Sequence, residues 1–149
     1  MRRIFIDTNI LIDFLARRGK FFNPAWGVVS RSTKGDTILV SALSFATASY
    51  IMATHHKMSG ETIVRLFDNF VKTCHVTPVD SQTIDESVAS EFGDFEDAMQ
   101  YYSALREQAD VIITRNTKDY SIKKGLCADA SLPRVCTPWQ FLEEFAHPE

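Results

Sequence analysis

Short apolar runs punctuate this chain, and helical patterns fill almost every stretch between them. The runs are Ile4-Phe5-Ile6, Thr37-Ile38-Leu39-Val40, Cys74-His75-Val76-Thr77, Val111-Ile112-Ile113 and Arg134-Val135-Cys136. Their length and β-branched content mark them as strands, the first two of them buried. Ile10 to Leu15 reads as a short helix ending near Arg17-Arg18-Gly19. A second helix starts at Asn23-Pro24 and ends around Lys34-Gly35-Asp36. A long apolar helix follows Ser41 to about His56. Ser59 caps a helix whose Ile63, Leu66, Phe67, Phe70 and Val71 recur at amphipathic spacing. Asp80 and Asp94 open two more, and Thr137-Pro138 opens the last. The polar stretch from Arg115 to Leu132 reads as loop. Strands that alternate with helices imply βαβ crossovers. The expected fold is an α/β three-layer α/β/α sandwich with a central, mostly parallel sheet, as a single domain over residues 1–149.

Composition supports that architecture. Apolar residues make up 45% of the 149, with 11 Phe, enough for a core without staples. The formal net charge is −3, which argues against a broad basic face for phosphate backbones. It leaves nucleic acid open, because a bound divalent cation adds positive charge that a sequence count omits. Cys74, Cys127 and Cys136 are odd in number and form no Cys-x-x-Cys, so they read as reduced thiols. No apolar run reaches the roughly 18–20 residues of a membrane span, and Asp7 interrupts the N-terminal run too early for a signal peptide. The expected location is the cytoplasm.

An open parallel sheet binds ligands outside the carboxyl ends of its strands, where strand order reverses. Asp7 directly follows the first strand. Thr114, Arg115, Asn116 and Asp119 follow the strand Val111–Ile113, and Asp97 lies in the first turn of the helix opened by Asp94. Helix N-termini and strand C-termini share one sheet edge, so Asp7, Asp97 and Asp119 can converge. Three carboxylates together repel unless a cation compensates them. With no Cys or His in the set, a hard ion is expected, Mg²⁺ or Mn²⁺ rather than zinc. The matching chemistry is metal-assisted hydrolysis of a phosphodiester. No Walker loop, dinucleotide fingerprint or nucleophile elbow is present.

Each of these residues also has a plainer role open to it. Asp7 can cap a helix, although Thr8 or Asn9 suits that better. Asp97 follows Asp94 by three residues, as in a capping box. Asp119 can be an exposed turn residue, and Thr114 can cap the strand end. Asp94 and Glu96 read as cap and surface, Asp13 as helix surface. Arg115 and Lys118 are weak candidates for phosphate contact. The helical aromatics read as core, and Trp26 and Trp139 could serve an interface.

Three segments together resemble the PIN domain family. They are Ile4 to Asp13, Asp94-Phe95-Glu96-Asp97-Ala98-Met99-Gln100, and Ala109 to Tyr120, with Val40 to Ser44 between. The resemblance runs through nearly the whole chain. It implies a divalent-metal-dependent endoribonuclease, often a VapC-like toxin held inactive by a cognate antitoxin, and often a homodimer. Asp7 matches the first metal-binding acid and Asp97 a later one. Asn116 and Asp119 match the final polar and acidic positions, and Thr114 the preceding hydroxyl, with Thr8, Asn9 and Glu96 as supporting residues. One position departs: the family's helix after the second strand commonly carries a Glu, and here Thr47 or Ala48 stands there. Either Glu96 or Asp94 substitutes for it, or one ion is bound rather than two. The departure keeps a non-catalytic RNA- or protein-binding module open as the alternative. A phosphoacceptor using Asp7 is disfavoured because position 9 is Asn9, not a second acid.

Overall fold

The computed structural model describes residues 1–120 and 132–146. Cys127, and the expected loop beyond Tyr120 up to residue 131, lie outside the described residues. The strands are β1 (Arg3–Ile6), β2 (Thr37–Ser41), β3 (His75–Thr77), β4 (Val111–Ile113) and β5 (Arg134–Cys136). The helices are α1 (Thr8–Leu15), α2 (Phe22–Val29), α3 (Ala42–Thr54), α4 (Gly60–Val71), α5 (Ser81–Val88), α6 (Phe95–Arg106) and α7 (Pro138–Ala146). The sheet order is β3-β2-β1-β4-β5, and every described pairing is parallel. The expected α/β/α sandwich is present, with a sheet more uniformly parallel than expected.

The pleat explains the layers. Ile4 and Ile6 point to one face and Phe5 to the other. On the first face Ile4, Ile6, Ile38, Val40 and Ile113 join buried residues of α1, α2, α3, α4 and α7. On the second, Phe5, Leu39 and Ile112 meet Tyr101 and Ala104 of α6, with Ala109 and Tyr120. One layer is therefore thick and apolar, and the other is essentially one helix deep. β1 lies at the centre, fully buried from Ile4 to Ile6.

Some details differ from the sequence reading. The second helix begins two residues before Pro24, and a 3-10 turn at Ser30–Lys34 replaces its last part. Gly35 ends that turn at φ 95°, a conformation that suits a residue without Cβ. The polar stretch after β4 contains a 3-10 turn, Thr117–Tyr120, whose Tyr120 is buried in the second core. Asp13 is not on a helix surface: it is 1% exposed. Its helix is apolar nearly all round, with Ile10, Leu11, Ile12 and Leu15 all buried, so no face of it meets solvent broadly.

Candidate functional site

Strand order reverses at β1, which pairs with β2 on one side and with β4 on the other. The crevice between the ends of β1 and β4 is the switch point of the sheet. Asp7 stands at the end of β1, and its N–H donates to the Ile113 carbonyl at 3.0 Å. Thr114 stands at the end of β4. Its hydroxyl donates to Asp7 Oδ2 at 2.9 Å and accepts from the Asn116 N–H at 3.1 Å.

Asp7 also caps α1, a role the sequence suited better to Thr8 or Asn9. It holds extended backbone angles, and Oδ1 accepts from the Thr8 N–H at 2.8 Å. Gln100 Nε2 donates to the same oxygen at 3.3 Å. The residue is 8% exposed. Burial drives its pKa up against the hydrogen bonds from Thr8, Thr114, Gln100 and Tyr120 that pull it down. Desolvation wins, so the fold alone holds this acid reluctantly as an anion.

Gln100 is the residue that sequence reasoning missed. It is fully buried on α6 and organises a polar knot beneath Asp7. Its amide nitrogen reaches Ser44 Oγ at 2.7 Å and Thr8 Oγ1 at 2.9 Å, and its carbonyl accepts from the Ser41 hydroxyl. Thr8 and Ser44 hydroxyls meet at 2.8 Å. Three elements, α1, the β2–α3 junction and α6, are thereby pinned to one acid. One signal was available: Gln100 lies three residues after Asp97, hence on the same helix face.

A rim of acids surrounds this knot. Asp94 caps α6, accepting from the Asp97 N–H at 3.0 Å, as its sequence position suggests. Asp97 has a pKa pushed up to about 7, first by burial and then by the charges of Asp94, Asp7, Asp119 and Glu96. Glu96 is raised by burial and by Asp7, against a hydrogen bond from Thr47 Oγ1 at 3.4 Å. Asp119 sits exposed on the 3-10 turn, its N–H bonded to the Asn116 carbonyl at 3.1 Å. Asp7, Asp97 and Asp119 therefore share one rim, and the charges of Asp7 and Asp119 raise the cost of ionising Asp97.

The donor set is all oxygen, which fits a hard divalent cation. Among the described residues, no group of three or more His, Cys, Asp or Glu side chains is gathered tightly enough to hold an ion by itself. An ion at this rim would rest on few protein oxygens and keep several waters, a mode suited to Mg²⁺.

The remaining candidates fall elsewhere. Asn9 accepts from Arg18 through its backbone carbonyl at 3.3 Å. Arg115, a candidate for phosphate contact, instead grips Asp13 at 2.8 and 3.3 Å and lies 4.0 Å over the Phe21 ring. Arg18 holds Asp13 from the other side at 2.8 Å. Asn116 and Lys118 are exposed. On α3, Ala48 is buried in the core, and Thr47 is the residue that faces the site by meeting Glu96. A carboxylate from α6 thus reaches the place beside α3 where that helix has none.

Fold and site together define an open parallel α/β protein with an acid-rimmed crevice at its switch point. The family model described as PIN domain matches residues 3–118, and the chain belongs to that family. Among solved structures it is similar to VapBC2 from Rickettsia felis bound to a DNA fragment from the promoter, at 15% identity and TM-score 0.63. That match covers 91% of this chain and 98% of the other. It is also similar to a toxin–antitoxin complex from Klebsiella pneumoniae, at 22% identity and TM-score 0.61, covering 91% and 97%. At these identities the likeness is one of fold. No curated protein sequence matches the chain.

Proposed function

We propose that this protein is a divalent-metal-dependent endoribonuclease and the toxin of a toxin–antitoxin pair, acting as a single nuclease domain. The observation that carries the reading is Asp97, held near a pKa of 7 by burial and by the acids around it, beside a buried Asp7. A site that makes its own carboxylates this costly to ionise is built for a cation. Asp7, Asp97 and Asp119 would share the hold on a largely hydrated Mg²⁺ or Mn²⁺, in part through its waters, with Glu96 beside them. When bound, such an ion supplies Lewis-acid chemistry, neutralising phosphate charge and acidifying water. Thr114, Gln100 and Thr8 fix the orientation of Asp7, and Asn116 and Lys118 stand exposed at the mouth, where an RNA strand would pass.

Family membership and the toxin–antitoxin neighbours support this assignment. An antitoxin, or a second copy of the chain, would cover exposed apolar residues such as Trp26, Tyr50 and Trp139. Among the described residues no helix is long and apolar enough to cross a membrane, in keeping with work in the cytoplasm. The test is cleavage of RNA by purified protein with Mn²⁺ or Mg²⁺. Cleavage that stops with a chelator and in Asp7→Asn supports the proposal; intact RNA under both metals refutes it.

One observation favours a second reading, a non-catalytic RNA- or protein-binding module. Helix α3 brings no acid, and no ready ion cage exists among the described residues. That reading predicts binding indifferent to chelator, and Mn²⁺ calorimetry distinguishes the two.

A further inference from the structure

The charges around the crevice are sorted by layer. Asp94, Glu96 and Asp97 stand at the start of α6, and Asp119 lies on the turn whose Tyr120 is buried in the second core. The first layer presents cations at the same sheet edge. Arg18 follows α1. Lys20 lies exposed on the 3-10 turn Gly19–Phe21, which packs against α1 and α2. Arg115 leans from the end of β4 onto Asp13 of α1. Arg18 and Arg115 grip that one carboxylate together, yet their side chains stay 24% and 26% exposed. Two guanidiniums on one acid leave positive charge over, and Lys20 adds to it.

An aromatic pair lies among these cations. The Phe21 ring carries the Arg115 guanidinium at 4.0 Å and the Lys20 ammonium at 5.4 Å. Trp139 meets Phe21 edge-on, with 6.0 Å between centroids, and is 43% exposed. Its place at this edge follows from register. β4 pairs Ile113 with Cys136 of β5, and the Thr114 N–H donates to the Cys136 carbonyl at 3.1 Å. α7 therefore begins beside Thr114 and carries Trp139 in its first turn. A chain of contacts runs from Asp7 through Thr114 and Arg115 to Phe21 and Trp139.

We propose that Lys20 and Trp139 form a track on which single-stranded RNA lies as it enters the crevice. Lys20 takes a phosphate, Trp139 stacks a base, and the surplus charge on Arg18 and Arg115 draws the strand. The proposal rests on the nucleolytic reading above for its ligand and gives that ligand a path, over the α1–α2 side rather than over α6. Cations interleaved with an exposed indole suit a single strand, because its phosphates seek charge and its unstacked bases seek a ring face. A duplex offers no free base face, and the acids at the start of α6 repel phosphates. A protein partner that covers Trp139 would exclude the strand.

The test is binding of a labelled single-stranded oligoribonucleotide of mixed sequence to the full chain, read by fluorescence anisotropy over a salt series. Chelator is present throughout, so that neither metal nor cleavage enters. The variants are Lys20→Gln, Trp139→Ala and Trp139→Phe. Lys34→Gln is the control, since it removes an exposed cation at the opposite sheet edge, ahead of β2. Lys20→Gln should weaken binding and flatten the log–log salt slope by about 0.7, and Lys34→Gln should do neither. Trp139→Ala should weaken binding by about fivefold or more with the slope unchanged, and Trp139→Phe should recover most of the loss. Wild-type affinity and slope in Lys20→Gln, or an equal loss in Lys34→Gln, overturns the track. So does a wild type that binds no RNA. If Trp139→Ala keeps RNA binding but lowers the mass seen by light scattering, the indole belongs to a protein interface and the proposal falls. If Trp139→Ala fails to fold, Lys20→Gln, at an exposed residue, decides. Cleavage with Mn²⁺ is scored separately. RNA bound through these residues but never cut leaves the track standing and removes the nuclease, whereas cutting and binding untouched by the variants do the reverse.

Discussion

Arg115 Nε donates to Asp13 Oδ2 at 2.8 Å across 102 positions of sequence, and this bond ties the loop after β4 to the middle of α1. The Phe21 ring lies against the guanidinium, and Arg18 completes the enclosure of the acid. The loop that carries Asn116 and Asp119 to the crevice is anchored near its start by a buried charge.

Removing that acid should be costly. Asp13→Ala leaves two guanidiniums without their shared partner and is expected to destabilise the fold by about 3 kcal/mol. Arg115→Ala should cost less, because Arg18 stays on Asp13. Urea unfolding of the two variants measures both, and an Asp13→Ala midpoint equal to wild type would contradict that enclosure.

Gln100→Ala should damage stability and site together. It strips partners from the hydroxyls of Thr8, Ser41 and Ser44, all buried. The expected loss is about 2–4 kcal/mol, since several donors and acceptors are left unmade at once. Denaturant melts give the first quantity, and Mn²⁺ binding, expected to weaken, gives the second.

Asp97 gives the metal-free protein an inverted pH response. Its folded pKa of about 7 lies above the ordinary 3.8, so the folded state binds the extra proton. Its contribution to stability is therefore complete below about pH 4 and is lost as pH rises toward 7 and beyond. The melting temperature of the metal-free protein should fall across that range through this group, and less so in Asp97→Asn. Divalent cations should restore it, with affinity increasing as Asp97 ionises. A wild-type profile no steeper than that of Asp97→Asn would argue against the mutual repulsion at the rim.

Asp7→Asn separates folding from chemistry. Loss of a desolvated, repelled charge should leave the metal-free protein as stable as wild type or more so. On the proposed metal-dependent reading, RNA cleavage should fall on the order of a hundredfold or more, because Asp7 would be one of the ion's ligands. Thermal melts and single-turnover cleavage test the two halves separately.

Much of this is legible in the sequence, for physical reasons that end at identifiable residues. The runs Ile4 to Ile6 in β1 and Val111 to Ile113 in β4 announce themselves because buried parallel strands are apolar on both faces. Asp7 and Thr114 follow those runs directly, so their meeting can be expected from topology alone. Gln100 cannot be ranked that way, because only the crossing of α6 over the β1 end shows that a polar helix residue is buried. Asp13 reads as exposed in the sequence, since its arginines lie five and 102 positions away. The apolar character of α1 on every side is the clue to its burial. Tyr120 reads as part of a polar stretch, and its burial in the second core shows only once the 3-10 turn is in place.

The central place of β1 has a consequence for the chain as it is being made. The first strand and Asp7 leave the ribosome well before the groups that hold Asp7 in position, which come from Gln100 and Thr114, and before β4, the neighbour that closes its second side. A growing polypeptide that stops short of those positions owns the key acid without the means to aim it. Whatever this crevice does, it does only once synthesis has passed Gln100 and Thr114.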